Sequence, residues 1–263
     1  MLLVVLSALL LAALAFLYLK TEAIDLREKN EILALLRELK EIDSRWDVDV
    51  LRARSELAPP SLAPLDRAQI AAQALDRLAR AAQETDSRAL DQGLGELRKA
   101  FAQKAKLVEA FGRESAAARR ALQAGLGMTS EAAAWAHEAR RTGAGRKERT
   151  ALAETAAKEL DASLLRYHHL PDDAQRRAVD AAAADFVAAA GVLPAVLGNV
   201  GGKMGVELQK LYQHRPVEEG LYGKLAFLTA GPRVDALTGA LNLEVEQTLA
   251  EKERFRVYLV YYA

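Results

Sequence analysis

The sequence predicts an all-α protein: an elongated antiparallel helical bundle carried on an N-terminal transmembrane helix. Three observations predict it. Hydrophobic residues make up 51% of the chain and aromatics only 6%, so the core must be built from Leu, Ala and Val in helix-forming sequence. Apolar residues recur at spacings of three and four over long stretches, and no segment alternates with the period of two that a strand needs. Residues 2–19 form an uncharged run in which Ser7 and Tyr18 are the only polar side chains.

That run rises about 27 Å as a helix, roughly one hydrocarbon core. A cleaved signal peptide is the rival reading. No basic residue precedes the run, and Phe16-Leu17-Tyr18-Leu19 stands where a small-residue cleavage site would be, so the residues favour an uncleaved anchor over 1–20. At the other end, Arg254-Phe255-Arg256 leads into Val257-Tyr258-Leu259-Val260-Tyr261-Tyr262-Ala263. This reads either as the start of a second, truncated span over 256–263 or as an ordinary buried helix end. Residues 21–255 between them are the expected extracytoplasmic domain.

Residues 21–58 contain neither Gly nor Pro, and Ile32, Leu35, Leu39, Ile42, Trp46 and Ala53 fall near heptad spacing. This predicts one long helix ended by Pro59-Pro60. A second helix starts near Pro64. The third carries the cleanest heptad: Leu90, Leu94, Leu97, Phe101, Ala105, Val108, Phe111, Ser115, Ala118 and Leu122, with Gly125-Leu126-Gly127 as its stop. Thr129 or Ser130 then caps a short helix to Arg141, and Gly143-Ala144-Gly145 is a loop. Another helix covers 146–167. Leu170-Pro171-Asp172-Asp173 starts an Ala-rich helix interrupted by Gly191 and Pro194. A bend is expected at 198–202, a break near Pro216, a turn at Gly231-Pro232, and a last helix from Leu241. With about seven or eight helices of unequal length, two stacked bundles sharing long helices fit better than one.

Lys plus Arg and Asp plus Glu each number 36, so the formal net charge is zero and nucleic acid is not the expected partner. There is no Cys, which excludes disulfides, thiolate metal sites and cysteine nucleophiles. Gly198-Asn199-Val200-Gly201-Gly202-Lys203 suggests a phosphate-binding loop, but its spacing is one residue short and Met204 stands where Ser or Thr should be. His168-His169 point about 100° apart on a helix and make a poor metal pair, and His137 and His214 are remote. The basic stretch of Arg140, Arg141, Arg146, Lys147 and Arg149 reads as a solvated turn, with lipid headgroups as its functional alternative. No Ser has a His base at helical spacing. No catalytic residue, metal or cofactor is therefore expected. An Arg turned inward from the first helix needs a carboxylate or an anion, which makes Arg52 or Arg54 a candidate for a small acidic ligand.

Residues 39–65, centred on Asp49-Val50-Leu51-Arg52-Ala53-Arg54-Ser55, resemble the start of the DAHL sensor domain. Residues 101–122, where Lys106-Leu107-Val108-Glu109-Ala110-Phe111 leads to Ser115 and Arg119, are similar to it too, as are Val234-Asp235-Ala236-Leu237 and Phe255-Arg256-Val257-Tyr258-Leu259. The chain reads Leu62-Ala63-Pro64-Leu65 where the family has Tyr-Asp-Pro-Leu, and Ser115, Arg120 and Ala121 where it tends to carry Asn and Ser. The resemblance covers nearly everything from Ile24 onward. It implies a double helical bundle outside the membrane of a bacterial histidine kinase, with a kinase after Ala263 that uses ATP and phosphorylates its own histidine. It also implies a homodimer.

The expected function is thus the periplasmic signal-input region of a two-component sensor kinase in the bacterial inner membrane, recognising a small molecule or a periplasmic binding protein. Arg52, Ser115 and Arg119 are the expected ligand-facing patch. A membrane-anchored envelope scaffold and a chemoreceptor input domain are the alternatives.

Overall fold

Residues 21–58 offer a long stretch without a helix breaker, and the first observed helix uses most of it. The computed structural model describes residues 26–55, 64–85, 87–143, 147–190, 199–228 and 230–262. These hold seven helices and no strand: α1 (Leu26–Arg54), α2 (Pro64–Glu84), α3 (Arg88–Thr142), α4 (Lys147–His169), α5 (Asp173–Ala190), α6 (Val200–Ala226) and α7 (Ala230–Tyr262). The expected anchor at 1–20, Pro59-Pro60, Arg146 and the Gly191–Pro194 interruption lie outside the described residues. Among the described residues, no helix is long and apolar enough to cross a membrane. Most side chains of 256–263 also lie outside them.

The described chain divides into two compact units. The first takes α1 up to Asp49, α2, α3 up to Lys106, and α7. Ion pairs fix its helix directions. Arg77 meets Glu38 at 2.8 Å, Arg67 pairs with Asp49, and Arg98 meets Asp76 at 2.7 Å, so α2 runs antiparallel to α1 and α3. Lys40 meets Asp235 at 2.6 Å and the Ser87 hydroxyl donates to Glu244 at 2.6 Å, so α7 also runs against α1 and α3. The result is an up-down four-helix arrangement. Ile32, Leu35, Leu39, Ile42 and Trp46 are all buried, as their spacing predicts, with Trp46 against Phe101 at 6.1 Å between ring centroids.

The second unit takes the end of α1, the rest of α3, and α4, α5 and α6. Its core draws on Ala118, Leu122, Leu160, Leu164, Val179, Phe186, Met204 and Leu211. Thr129 bonds Asp161, Arg140 meets Glu154 at 2.9 Å, and Tyr212 donates to Asp180 at 2.8 Å, which again sets successive helices antiparallel. Asp172 starts α5 as expected, its carboxylate accepting the Gln175 N–H at 2.7 Å.

Three expected breaks are absent, each for a local reason. Helix α3 does not stop at Gly125-Leu126-Gly127 but runs 55 residues to Thr142. Counting alternately four and three from Leu97 gives Phe101, Lys104, Val108, Phe111, Ser115, Ala118, Leu122, Gly125, Thr129, Ala132, Ala136 and Ala139, and every one is buried. The seam continues through the glycine, whose missing side chain admits Leu164: a Cβ on Gly125 would lie 3.3 Å from Leu164 Cδ1. Thr129 therefore caps nothing; its hydroxyl sits 2.8 Å from the Leu126 carbonyl oxygen inside the helix. In the same register Lys104, not Ala105, takes the core position.

Of the bend expected at 198–202, residue 198 lies outside the described residues; Asn199 is a bend that caps α6, accepting the Gly202 N–H at 2.9 Å. Pro216 lies inside α6 rather than ending it; its ring is on the exposed face, so the carbonyl it leaves without a helix partner can turn to water. Gly231-Pro232 is not a turn between helices but lies in the first turn of α7, where a proline gives up no helix hydrogen bond. The last helix consequently begins at Ala230 rather than near Leu241. Gly143, at φ 70°, does end α3 as expected.

Gly125 and Gly127, two residues apart on α3, should respond in opposite ways to substitution. Gly125→Leu should overpack Leu164 and cost about 1–3 kcal/mol in chemical denaturation. Gly127→Ala meets nothing within 4 Å and should stabilise by about 0.5–1 kcal/mol.

Candidate functional site

A heptad position on α3 must be filled, and in the second unit one of those positions is Ser115, which is buried. A buried hydroxyl needs a partner. It finds Glu218 of α6, to which it donates a hydrogen bond. Glu218 is only 4% exposed, as is Arg215 one turn earlier on the same helix. Arg215 lies 3.3 Å from Glu218 and 3.1 Å from Glu219, and its Nε donates to the His168 carbonyl oxygen at 2.6 Å. That last bond satisfies a carbonyl in the final turn of α4, where orphan carbonyls and a partial negative charge collect.

Arg119, one turn beyond Ser115, is half-buried and donates to the Ala53 carbonyl oxygen at the end of α1, 2.7 Å away. Arg54 closes the group. It meets Glu219 at 2.9 Å, and its guanidinium stacks 3.9 Å over the Tyr222 ring. Beside them, His214 Nδ1 and Glu114 Oε2 are 2.7 Å apart.

Of the three predicted ligand-facing residues, Ser115 and Arg119 thus come together around Glu218. Arg52 does not join them: its side chain is exposed, and Arg54 is the arginine of that pair which engages α6. Sequence reasoning misses Arg215, Glu218 and Glu219. Their signal is a charged pair at a spacing of three on a helix whose other buried residues include Met204, Leu208 and Leu211.

Three guanidinium groups lie here among the Glu218 and Glu219 carboxylates, with Glu114 beside them, in a partly dehydrated place. Burial pushes the Glu218 carboxyl above its usual range, against the opposing pull of Arg215 and Ser115. Protonation of Glu218 would leave positive charge in excess. The arrangement offers hydrogen-bond donors to a small anion, with Arg119 and Arg54 at its accessible edge.

The other motifs resolve into local structure. Gly201, Gly202 and Lys203 lie in the first turns of α6, and Gly198 lies outside the described residues. His168 is buried, with its ring centroid 5.9 Å from that of His169. Among the described residues no three His, Asp or Glu side chains are placed to hold a metal ion. In the basic stretch, Arg140 pairs with Glu154 and Arg141 with Glu138. A separate groove of about 450 Å³ opens between α4 and α5, over Leu152, Ala156, Ala182 and Ala189. None of the predicted site residues lines it.

Because the Glu218 carboxyl titrates above its unfolded value of 4.5, the folded state binds its proton more tightly than the unfolded chain does. Its contribution to stability is complete below that value and is lost as pH rises through the raised one. Glu218→Gln should therefore flatten the fall in melting temperature between pH 4.5 and neutrality, which a series of thermal melts measures.

The sequence model of the DAHL domain matches residues 24–256. No curated protein and no solved structure matches the chain. With nearly its whole length matched, this chain belongs to the DAHL domain family, a family of sensor domains.

Proposed function

We propose that this chain is the extracytoplasmic signal-input region of a membrane-bound two-component histidine kinase, carried in the bacterial inner membrane with its bulk in the periplasm and working as a homodimer. The kinase, with its ATP and its phosphorylated histidine, would follow Ala263. The observation that carries the reading is the antiparallel pairing of α1 with α7 in one unit of a sensor-domain family member. The start of α1 and the end of α7 therefore leave that unit at the same end. The first follows the apolar run at 2–19, and the second runs into the apolar, aromatic stretch at 257–263. A helix pair of this kind carries a signal inward when a ligand favours one of its two arrangements.

The ligand-facing patch is Arg119, with Arg54 in the place expected of Arg52, over the buried Ser115, and its guanidinium groups select a small anion. A periplasmic binding protein could deliver the same signal to the same patch.

Antibody against residues 21–250 should detect, in membranes of the source cells, a band well above the 28.6 kDa of this chain. A band at 28.6 kDa would remove the kinase and leave an anchored scaffold. In the full-length protein, Arg119→Gln should change autophosphorylation severalfold while leaving helicity and the melting transition of the domain in place. If Arg119→Gln instead unfolds the domain, the patch is structural and the ligand lies elsewhere.

A further inference from the structure

Lys104 occupies a core position of α3 between Phe101 and Val108 and is 1% exposed. Taking an ammonium out of water costs several kcal/mol, and an apolar side chain there would often be as stable or more so. Stability therefore does not account for it. Its Nζ lies 2.5 Å from Oδ1 of Asp43 and 2.7 Å from Oδ1 of Asp47, two carboxylates one turn apart on α1.

Asp43 has a second task. Its carboxylate accepts a hydrogen bond from the backbone N–H of Gly231, in the first turn of α7. The approach is so close that a Cβ on Gly231 would lie 2.7 Å from Asp43 Oδ2. The neighbours on α7 are Ala230 and Pro232. Ala230 has a Cβ, and Pro232 has no N–H to donate. Only Gly231 offers a donor without a side chain, so this contact exists in one register of α7 against α1.

The second carboxylate changes what happens when that register is lost. Without Asp47, freeing Asp43 would strand a buried ammonium, a strongly destabilising outcome. With Asp47, which is half exposed, the Lys104 charge keeps a partner while Asp43 lets go of α7. The contact is specific in position and cheap to detach. These are the two requirements of a bistable element.

We propose that Asp43, held by Lys104 and backed by Asp47, is a detachable catch on the first turn of α7. It fixes the register of α7 against α1 in one state and releases it in the other. The part that release plays in signalling rests on the reading of the chain as a sensor input module; the catch itself does not.

The chain has no Cys, so a spin-label pair introduced as Lys40→Cys and Ala236→Cys reports only the α1–α7 spacing. In the full chain, mixed with an excess of unlabelled chain so that a dimer carries at most one labelled copy, this pair should give one distance in lipid nanodiscs. A slip of one residue moves α7 by about 1.5 Å and turns it by about 100°, which displaces the label by several Å. Gly231→Ala should move a large share of the molecules to a second distance. Asp43→Asn, which keeps the shape but cannot serve both donors, should do the same to a smaller extent. Gly95→Ala, with nothing within 4 Å of its Cβ, should leave the distance unchanged. Should Gly231→Ala fail to fold, Asp43→Asn decides the matter alone. One unchanged distance in every folded variant overturns the catch. A second distance in a full-length kinase whose autophosphorylation does not respond would support the catch and count against the sensor-kinase reading.

Discussion

Helix α3 carries Lys104, Ser115 and Thr129 on the same buried seam as its Leu, Phe and Ala residues, and each must find a polar partner on another helix. Lys104 finds Asp43 on α1, Ser115 finds Glu218 on α6, and Thr129 finds Asp161 on α4. An apolar heptad seam tolerates sliding by one heptad, because leucine contacts leucine almost as well there as before. A seam with three different polar positions does not, since each slip strands a buried hydroxyl or charge at about 1–3 kcal/mol or more. The polar residues cost stability and return a unique register. In the first unit that register decides which helix meets the Lys104 ammonium. In the second it decides which carboxylate lies under the Ser115 hydroxyl.

The same constraint explains how weak helix sequence survives elsewhere. Helix α6 contains Gly201, Gly202, Gly205, Gly220, Gly223 and Pro216, and each costs about 1–3 kcal/mol against alanine in an isolated helix. It persists because its buried face is tied from several sides. Met204 and Leu211 enter the core, Arg215 holds the end of α4, and Glu218 holds α3. Tertiary contacts override propensity where a residue on each turn is fixed by a neighbour. One of these glycines gives close approach in return: a Cβ on Gly201 would lie 3.0 Å from Val187, whereas one on Gly205, Gly220 or Gly223 would meet nothing within 4 Å.

Much of the fold is legible in the sequence, because helix-forming composition and three-four spacing are local signals. The buried faces of α1 and α3 follow their heptads, and the cap at Asp172 and the stop at Gly143 follow from residue type. What is not legible depends on partners distant in sequence. Glycine at 125 reads as a stop until Leu164 is known to need the space. Gly231-Pro232 reads as a turn until Asp43 is seen to accept the Gly231 N–H. Lys104 reads as a surface residue by type, although a strict four-three count from Leu97 through Phe101 places it inside; the apolar Ala105 beside it draws the eye off by one. The site shows the same division. Ser115 stands on the heptad and Arg119 in the stretch that is similar to the DAHL domain, whereas Arg215 and Glu218 need the α3–α6 pairing to be seen as buried.

A carboxylate that serves two donors is a point where two equilibria meet. At Asp43 these are the ion pair with Lys104 and the hydrogen bond from α7. Burial raises the Asp43 carboxyl above its usual range, while Lys104 and the Gly231 N–H pull it down. The donors thus offset part of the cost of burying the anion. Removing the Gly231 N–H raises the cost of the buried Asp43 anion, while Asp47 at the solvent edge still partners Lys104. This coupling makes the first turn of α7 more than a passive end. A displacement of α7 changes the charge balance between α1 and α3, and a change in that balance alters how firmly α7 is held. The reciprocity needs no long pathway, because the three helices share a single side chain.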